Sequence, residues 1–289
     1  MALPKILVCL DSDAQPSVFD SVVAVDADVD HLFRHGGVKP EQVRDLVYGA
    51  IFTRGPKELN HTAVFVGGSD VALGEKLLAE VTGSFFGPMR VSVMLDSNGA
   101  NTTAAAAVLA ARKHVELRGA TVAVLAATGP VGRRIVRLLA REGAQVRVGS
   151  RKLAQAEQVC QEIGAAVSGA ELTPVETRDD ASVKAAVDGA QVLITAGPPK
   201  VELVSTSVLS AAKSLAVAVD LNAVPPLGID GIEVDDKATK RDGLVAYGAI
   251  GVGGTKMKIH KAALKQLFER NDLVLDAETI YELGKSITI

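Results

Sequence analysis

The sequence predicts an α/β fold with parallel sheets, arranged as two α/β domains flanking a cleft. Three observations carry this. Short continuous apolar runs alternate with Ala-rich helical stretches; a glycine-rich turn lies mid-chain between such a run and a helix; and 289 residues exceed the usual size of one compact domain. The second domain, which holds the glycine turn, is expected to be of the Rossmann type.

The strands are read from Val/Ile/Leu-rich runs at residues 6–10, 62–66, 91–95, 121–126, 145–148, 191–195 and 215–219. Their apolar character is continuous rather than alternating, as in a sheet covered on both faces. Residues 70–81, 101–117, 131–141 and 152–163 have helical composition and length between them. Strand–helix alternation implies right-handed parallel crossovers. The stretch 101–117 reads as a connecting helix, and the second unit runs to about Gly248. There AYGAIGVGGTK interrupts the pattern and reads as a loop over 249–256, followed by helices at 256–270 and 277–285 that return to the first domain. Domain boundaries at 1–102 plus 250–289, and 103–249, follow. The loops 96–103, 196–200 and 249–256 are expected to line the cleft.

Composition excludes several classes. Thirty-one Lys and Arg stand against 34 Asp and Glu, a net charge of −3, so no global basic field for nucleic acid exists. The N-terminal apolar run is short and followed at once by acids, which reads as a first strand and not a signal peptide. The Ala-rich run 102–111 is too short to span a bilayer. Cys9 and Cys160 are far apart and neither has metal-ligand spacing, and the five histidines are scattered, so no metal site is expected. A reduced, cytoplasmic enzyme fits these facts.

After the run 121–126 comes Ala127-Thr128-Gly129-Pro130-Val131-Gly132 and then a helix. This is a G-x-G-x-x-G pattern with Ala first. Gly129 lets a pyrophosphate approach the backbone, Gly132 lets helix and strand pack closely, and the helix start supplies N–H donors. Thr128, Gly129, Pro130, Val131 and Gly132 are therefore expected cofactor contacts. The end of the next strand is where an NAD-specific site carries an acid; here it reads Val148-Gly149-Ser150-Arg151-Lys152. Ser150, Arg151 and Lys152 suit a 2′-phosphate, so NADP is the expected cofactor, with NAD still open because a missing acid does not forbid it. Ala196-Gly197-Pro198-Pro199 follows a strand and can press on the nicotinamide ribose or merely end the strand. Asp220-Leu221-Asn222 ends another strand near this edge, and its residues can orient the nicotinamide amide or merely close a loop; Gly251 belongs to the glycine segment facing the cofactor.

Several stretches resemble one family. Ser17-Val18-Phe19-Asp20, Leu95-Asp96-Ser97-Asn98-Gly99-Ala100-Asn101-Thr102-Thr103, Val224-Pro225-Pro226-Leu227-Gly228-Ile229 and Gly253-Gly254-Thr255-Lys256 look like the bacterial NAD(P)-dependent methylene-tetrahydromethanopterin dehydrogenases, essentially end to end. The resemblance implies oxidation of N5,N10-methylene-tetrahydromethanopterin to the methenyl form in one-carbon metabolism, some members also taking methylene-tetrahydrofolate. It implies a homo-oligomer, trimer or hexamer, and makes the first domain the pterin domain. It also makes Lys256 the catalytic lysine. Hydride leaves a carbon between two nitrogens whose lone pairs stabilise the cation, so no strong base is needed. A full ammonium beside that cation opposes it; Lys256 is then neutral, sits towards the pterin oxygen, or positions the ring.

Asp20 can accept paired N–H donors of an aminopterin ring with Phe19 on its face, or serve as a first-turn acid. Asp96 and Asn98 end a strand where ligands of open sheets bind, and Thr102 begins the connecting helix as ligand or cap. Tyr281 and Lys285 match the Tyr-x-x-x-Lys of short-chain dehydrogenases, but in a final helix that reads as packing. The folate dehydrogenase–cyclohydrolases keep such a pair in their N-terminal domain and this chain has none there, so no cyclohydrolase activity is expected. The alternatives are a methylene-tetrahydrofolate dehydrogenase, a shikimate-type reductase, or a non-catalytic NADP sensor.

Overall fold

The computed structural model describes residues 3–241 and 243–287, and the chain divides into two compact units, Met1–Thr102 with Met257–Ile289 and Thr103–Lys256. The chain opens with β1 (Ile6–Asp11), α1 (Val18–Asp26), β2 (His31–His35), α2 (Pro40–Ile51), β3 (Thr62–Gly67), α3 (Val71–Gly83), β4 (Ser92–Leu95) and α4 (Ala100–Arg112). Helix starts carry their caps: Ser17 accepts the Asp20 N–H and Asp70 accepts the Leu73 N–H, at 3.1 and 2.9 Å. Alternate residues of the three inner strands, Val8, Leu10, Val64, Val66, Val93 and Leu95, form one core with Val43, Val47 and Ile51 of α2 and Leu77 of α3. Each such buried side chain contributes about 1.5–3 kcal/mol.

The second unit contains β5 (Thr121–Leu125), α5 (Pro130–Arg141), β6 (Gln145–Ser150), α6 (Leu153–Ala166), β7 (Glu171–Glu176), α7 (Asp180–Val187), β8 (Val192–Thr195), α8 (Thr206–Ala211), β9 (Val217–Asp220), β10 (Lys237–Arg241) and β11 (Leu244–Tyr247), and α9 (Ala249–Gln266) begins in it. Its sheet runs β10-β11-β9-β8-β5-β6-β7, parallel throughout except that β10 is antiparallel to β11. From β7 to β11 this is the doubly wound 3-2-1-4-5-6 order. The chain then adds β12 (Val274–Leu275) and α10 (Ala277–Ser286) to the first unit, whose five-stranded sheet runs β12-β4-β3-β1-β2, all parallel.

The structure corrects some expected boundaries. The run at 121–126 stops at Leu125, because Ala126 turns into the left-handed region with φ 53°. The connecting helix ends at Arg112 rather than 117. The largest correction is at 249–256, expected as a loop: these residues are the first turns of α9, which ends at Gln266 rather than 270. Gly251, with Gly248 just before the segment, serves close packing. A Cβ on Gly248 would lie 2.0 Å from the Glu233 carbonyl oxygen, and one on Gly251 only 1.8 Å from that of Asp236. β2, β7, β10, β11 and β12 were not read as strands; β2, β7 and β10 are more polar, lie at sheet edges, and β7 carries Pro174.

Candidate functional site

In the second unit, β5 continues to β6 and β7 on one side, whereas β8 continues to β9 and β11 on the other. Beyond the carboxyl ends of two such strands an open sheet forms its ligand crevice. The turn after β5 is held to β6 by the Ala127 N–H, which donates to Gly149 O at 2.9 Å. Gly129 is the N-cap of α5, and a Cβ added there would find only the Ala126 oxygen within 4 Å, at 3.9 Å. Its backbone is open to approach. Gly132 is the opposite case: a Cβ would fall 2.7 Å from Ala127 Cα and 2.8 Å from Ala126 O, so the helix is pressed onto the turn. Pro130 occupies the first helical position, the next N–H groups are those of Val131 and Gly132, and no acid lies in this first turn. The helix start thus keeps its donors and partial positive charge. Thr128 is half-buried beside it.

Arg151 and Lys152 follow β6 and are exposed. Ser150 is buried, and its Oγ accepts the Lys152 N–H at 3.3 Å, so this hydroxyl helps start α6. One acid near this edge escaped the sequence reading. Glu176, in register with Ser150 on β7, is ion-paired with Arg178 at 3.1 Å. The Ala196 N–H donates to Leu125 O at 3.1 Å, and Gly197 lets Leu203 approach, since a Cβ there would lie 2.8 Å from Leu203 Cδ1. The Asn222 amide closes its own loop: Nδ2 donates to Pro226 O at 3.0 Å and Oδ1 accepts the Val224 N–H at 2.9 Å. Asp220, 1% exposed, organises that loop by accepting from Thr195 Oγ1 at 2.8 Å and from the Asn222 and Ile229 N–H groups, each at 3.0 Å. Lys256 is half-buried in the second turn of α9, not at a helix start, and Gly251 is spent on the contact with Asp236.

The first unit has its own switch between β1 and β3. Asp11 ends β1, buried, and accepts the Asp13 and Ser17 N–H groups at 2.8 and 3.0 Å. Asp13 in turn accepts from Ser69 Oγ and N–H, at 2.7 and 3.0 Å, and joins the loops after β1 and β3. A small pocket here is lined by Cys9, Asp11, Ser17, Asp20, Arg34 and Phe65, among others. Asp20 is half-buried on it and Phe19 is half-exposed. Burial, and then the charge of Asp20, push the Cys9 thiol up to about 12, so it stays protonated and inert. Neither Asp11 nor the Gly67–Asp70 turn was singled out in the sequence. The signal was an acid or Gly-Gly pair directly after an apolar run.

At the end of β4, Asp96 and Thr102 come together in the interior. Asp96 Oδ2 accepts Thr102 Oγ1 at 2.6 Å, and Oδ1 accepts the Asn101 and Thr102 N–H groups, each at 3.0 Å. Both residues are buried, so Thr102 anchors the α4 start to β4. Asn98 is exposed, at φ 54°, with its N–H on Gly68 O at 2.7 Å. His260, wholly buried, stacks on Phe65 with centroids 5.8 Å apart and holds Nδ1 3.9 Å from Asp96 Oδ2. Tyr281 is buried in α10 with the Lys285 ammonium 5.1 Å above its ring. Among the described residues no three His, Cys, Asp or Glu side chains gather as a metal site, and no helix is long and apolar enough to cross a membrane.

Residues 18–98 match the family described as methylene-tetrahydromethanopterin dehydrogenase, N-terminal, and residues 118–219 match the NmrA-like family. Over 285 residues the chain is 31% identical to a Methylorubrum extorquens protein named NAD(P)-dependent methylenetetrahydromethanopterin dehydrogenase, with 94% of each chain covered. The chain belongs to this dehydrogenase family. It is also 46% identical over 285 residues to the M. extorquens bifunctional protein MdtA, covering 98% of this chain and 99% of that one. Solved structures with the same fold include shikimate 5-dehydrogenase from Listeria monocytogenes in complex with shikimate and NAD, at 14% identity and TM-score 0.56, covering 97% of this chain and 96% of that one. Quinate dehydrogenase from Corynebacterium glutamicum in complex with NAD aligns at 13% identity and TM-score 0.52 over 98% and 99% of the two chains. For this dehydrogenase-family chain, the open Gly129 backbone and the unneutralised start of α5 fit a dinucleotide pyrophosphate.

Proposed function

We propose that this family member oxidises N5,N10-methylene-tetrahydromethanopterin to the methenyl form with NADP. The observation that carries the reading is the end-to-end identity with the named dehydrogenase, joined to a doubly wound sheet whose switch-point turn is open at Gly129. A bound nicotinamide supplies the hydride acceptor. The N–H groups at the start of α5 hold the pyrophosphate, while Arg151 and Lys152 hold a 2′-phosphate. Ala196, Gly197, Asn222 and Gly251 belong to segments that shape or support the nicotinamide end.

In the first unit, Asp20 accepts from the aminopterin edge and Phe19 covers a ring face. Asp96 and Thr102 form the buried base under the exposed Asn98. Lys256 is the catalytic residue, positioning the substrate ring or meeting its oxygen. No group removes a proton from carbon, because the departing hydride leaves a cation stabilised by the adjacent nitrogens. NAD is used less well than NADP, and the working form is a cytoplasmic homo-oligomer, trimer or hexamer.

The relative named bifunctional makes a second activity worth testing. Methylene-tetrahydrofolate is the second substrate we propose. Hydrolysis of the methenyl product is not proposed: Tyr48, the one tyrosine before residue 247, is followed a helical turn later by Phe52 and not by lysine. Steady-state reduction of NADP and NAD with each methylene-pterin, monitored by absorbance of the reduced nicotinamide, tests the reading. The expected result is turnover with the methanopterin substrate and preference for NADP. NADP binding without turnover on either pterin would instead favour a sensor.

A further inference from the structure

The first turn of α9 is not held by its own helix alone. Its Ile250 N–H donates to Val234 O at 2.8 Å, and the preceding Gly248 N–H donates to Asp236 O at 2.8 Å. Gly248 and Gly251 bring the α9 start against this turn more closely than any side chain allows, as the 2.0 and 1.8 Å Cβ distances show. Residues 233–236 are therefore a seat whose shape fixes where α9 begins. Lys256 lies about 7.5 Å along the axis from Gly251 at ~1.5 Å per residue.

The seat is itself held by one charged pair. The buried Asp236 carboxylate accepts the Glu233 N–H at 2.8 Å, closing the turn. Arg241, from the far end of β10, meets the same carboxylate with two prongs, Nε at 2.6 Å and Nη2 at 2.8 Å. A two-pronged guanidinium–carboxylate contact fixes orientation as well as distance. Burial alone would raise the Asp236 carboxyl, yet hydrogen bonds from Arg241, Glu233 and Thr239 outweigh it and hold it below its ordinary value.

We propose that the Asp236–Arg241 pair is a positioning device for Lys256, acting through the seat it makes for the first turn of α9. The inference rests on Lys256 being the catalytic residue. β10 lies at the sheet edge with β11, β9 and β8 between it and β5, so loss of the pair disturbs turnover more than capture of the cofactor phosphates at the turn after β5 and the β6 end. A displacement near 1 Å at a positioned group can cost about a hundredfold in rate.

The test compares Arg241→Ala, Arg241→Lys, Lys256→Ala and Arg270→Ala. Arg270, which belongs to the first unit, makes an equally two-pronged pair with Asp272, at 2.8 and 2.7 Å, and controls for loss of an ion pair as such. Arg241→Ala is expected to lower kcat about tenfold or more with KM for NADP within about twofold. Arg241→Lys, which keeps the charge without the fork, recovers part of kcat, and Arg270→Ala leaves kcat unchanged. Full kcat in Arg241→Ala beside an inactive Lys256→Ala overturns the positioning role alone. Full kcat in Lys256→Ala overturns the reading beneath it. If thermal melting shows Arg241→Ala unfolded, Arg241→Lys decides, and an unchanged kcat there also overturns the proposal.

Discussion

Gly129 and Gly132 stand a few residues apart and carry opposite duties. One leaves backbone bare and the other admits it closely. Gly132→Ala drives a methyl into backbone at 2.7 Å and should destabilise the chain by about 1–3 kcal/mol, read as a lower denaturant midpoint. The motif's spacing made this role legible. Exposed Arg151 was legible for its charge: Arg151→Ala should raise KM for NADP about tenfold and barely alter that for NAD, and equal effects would remove the 2′-phosphate role. The proposed role of Lys256 comes only through the family's Gly-Gly-x-Lys, because a lysine among lysines on a helix carries no signal of its own. Lys256→Ala should reduce kcat by about a hundredfold or more while pterin binding changes little; unaltered turnover would take it out of the mechanism. Asp11 was missed, and the loop-organising role of Asp220 left open, for a physical reason. An acid after a strand is also the ordinary start of a turn, and only the folded chain shows the Asp11 carboxylate closing its loop on the Asp13 and Ser17 N–H groups and that of Asp220 gathering donors from Thr195 and Ile229.

Most strands buried on both faces announced themselves, though the short inner strand β11 did not. The inner strands β1, β3, β4, β5, β8 and β9 are continuous apolar runs, whereas the edge strands β2, β7 and β10 expose one side or carry polar residues. The glycine-rich 249–256 misled for a related reason: glycine lowers helix propensity, but tertiary contacts with the 233–236 turn decide the outcome. Its helical state has a direct check. Nothing lies within 4 Å of a Cβ on Gly254, so Gly254→Ala should raise stability by about 0.5–1 kcal/mol if the segment is helical. A loss in thermal midpoint would speak for a loop. The β10–β11 hairpin adds a pH dependence. Asp236 titrates below its ordinary 3.8 when folded, so its contribution is complete above that value and fades as pH falls through the lowered one. The midpoint gap between wild type and Arg241→Ala should accordingly be full near neutrality and close in acid.

At the scale of the molecule, each unit is built on a largely parallel sheet with a switch of strand order, β10 running antiparallel in the second, and in each the residues singled out for binding lie after carboxyl strand ends. That much follows from alternation of runs and helices. The kind of ligand does not, because the same fold at 14% identity holds shikimate and NAD in another enzyme. Pterin chemistry comes from family membership. If NADP engages the folded chain, a hundredfold excess over its dissociation constant should stabilise it by about 2.7 kcal/mol, with a smaller shift for NAD at equal concentration.

In the proposed reaction hydride passes directly from the methylene carbon to the nicotinamide without a protein base. Methylene-tetrahydromethanopterin made with both methylene hydrogens replaced by deuterium, turned over with NADP in ordinary water, tests it most directly. One deuterium should appear at C4 of the reduced nicotinamide and the other should remain on the methenyl carbon. Deuterium released to solvent, or a reduced cofactor carrying none, would contradict the account.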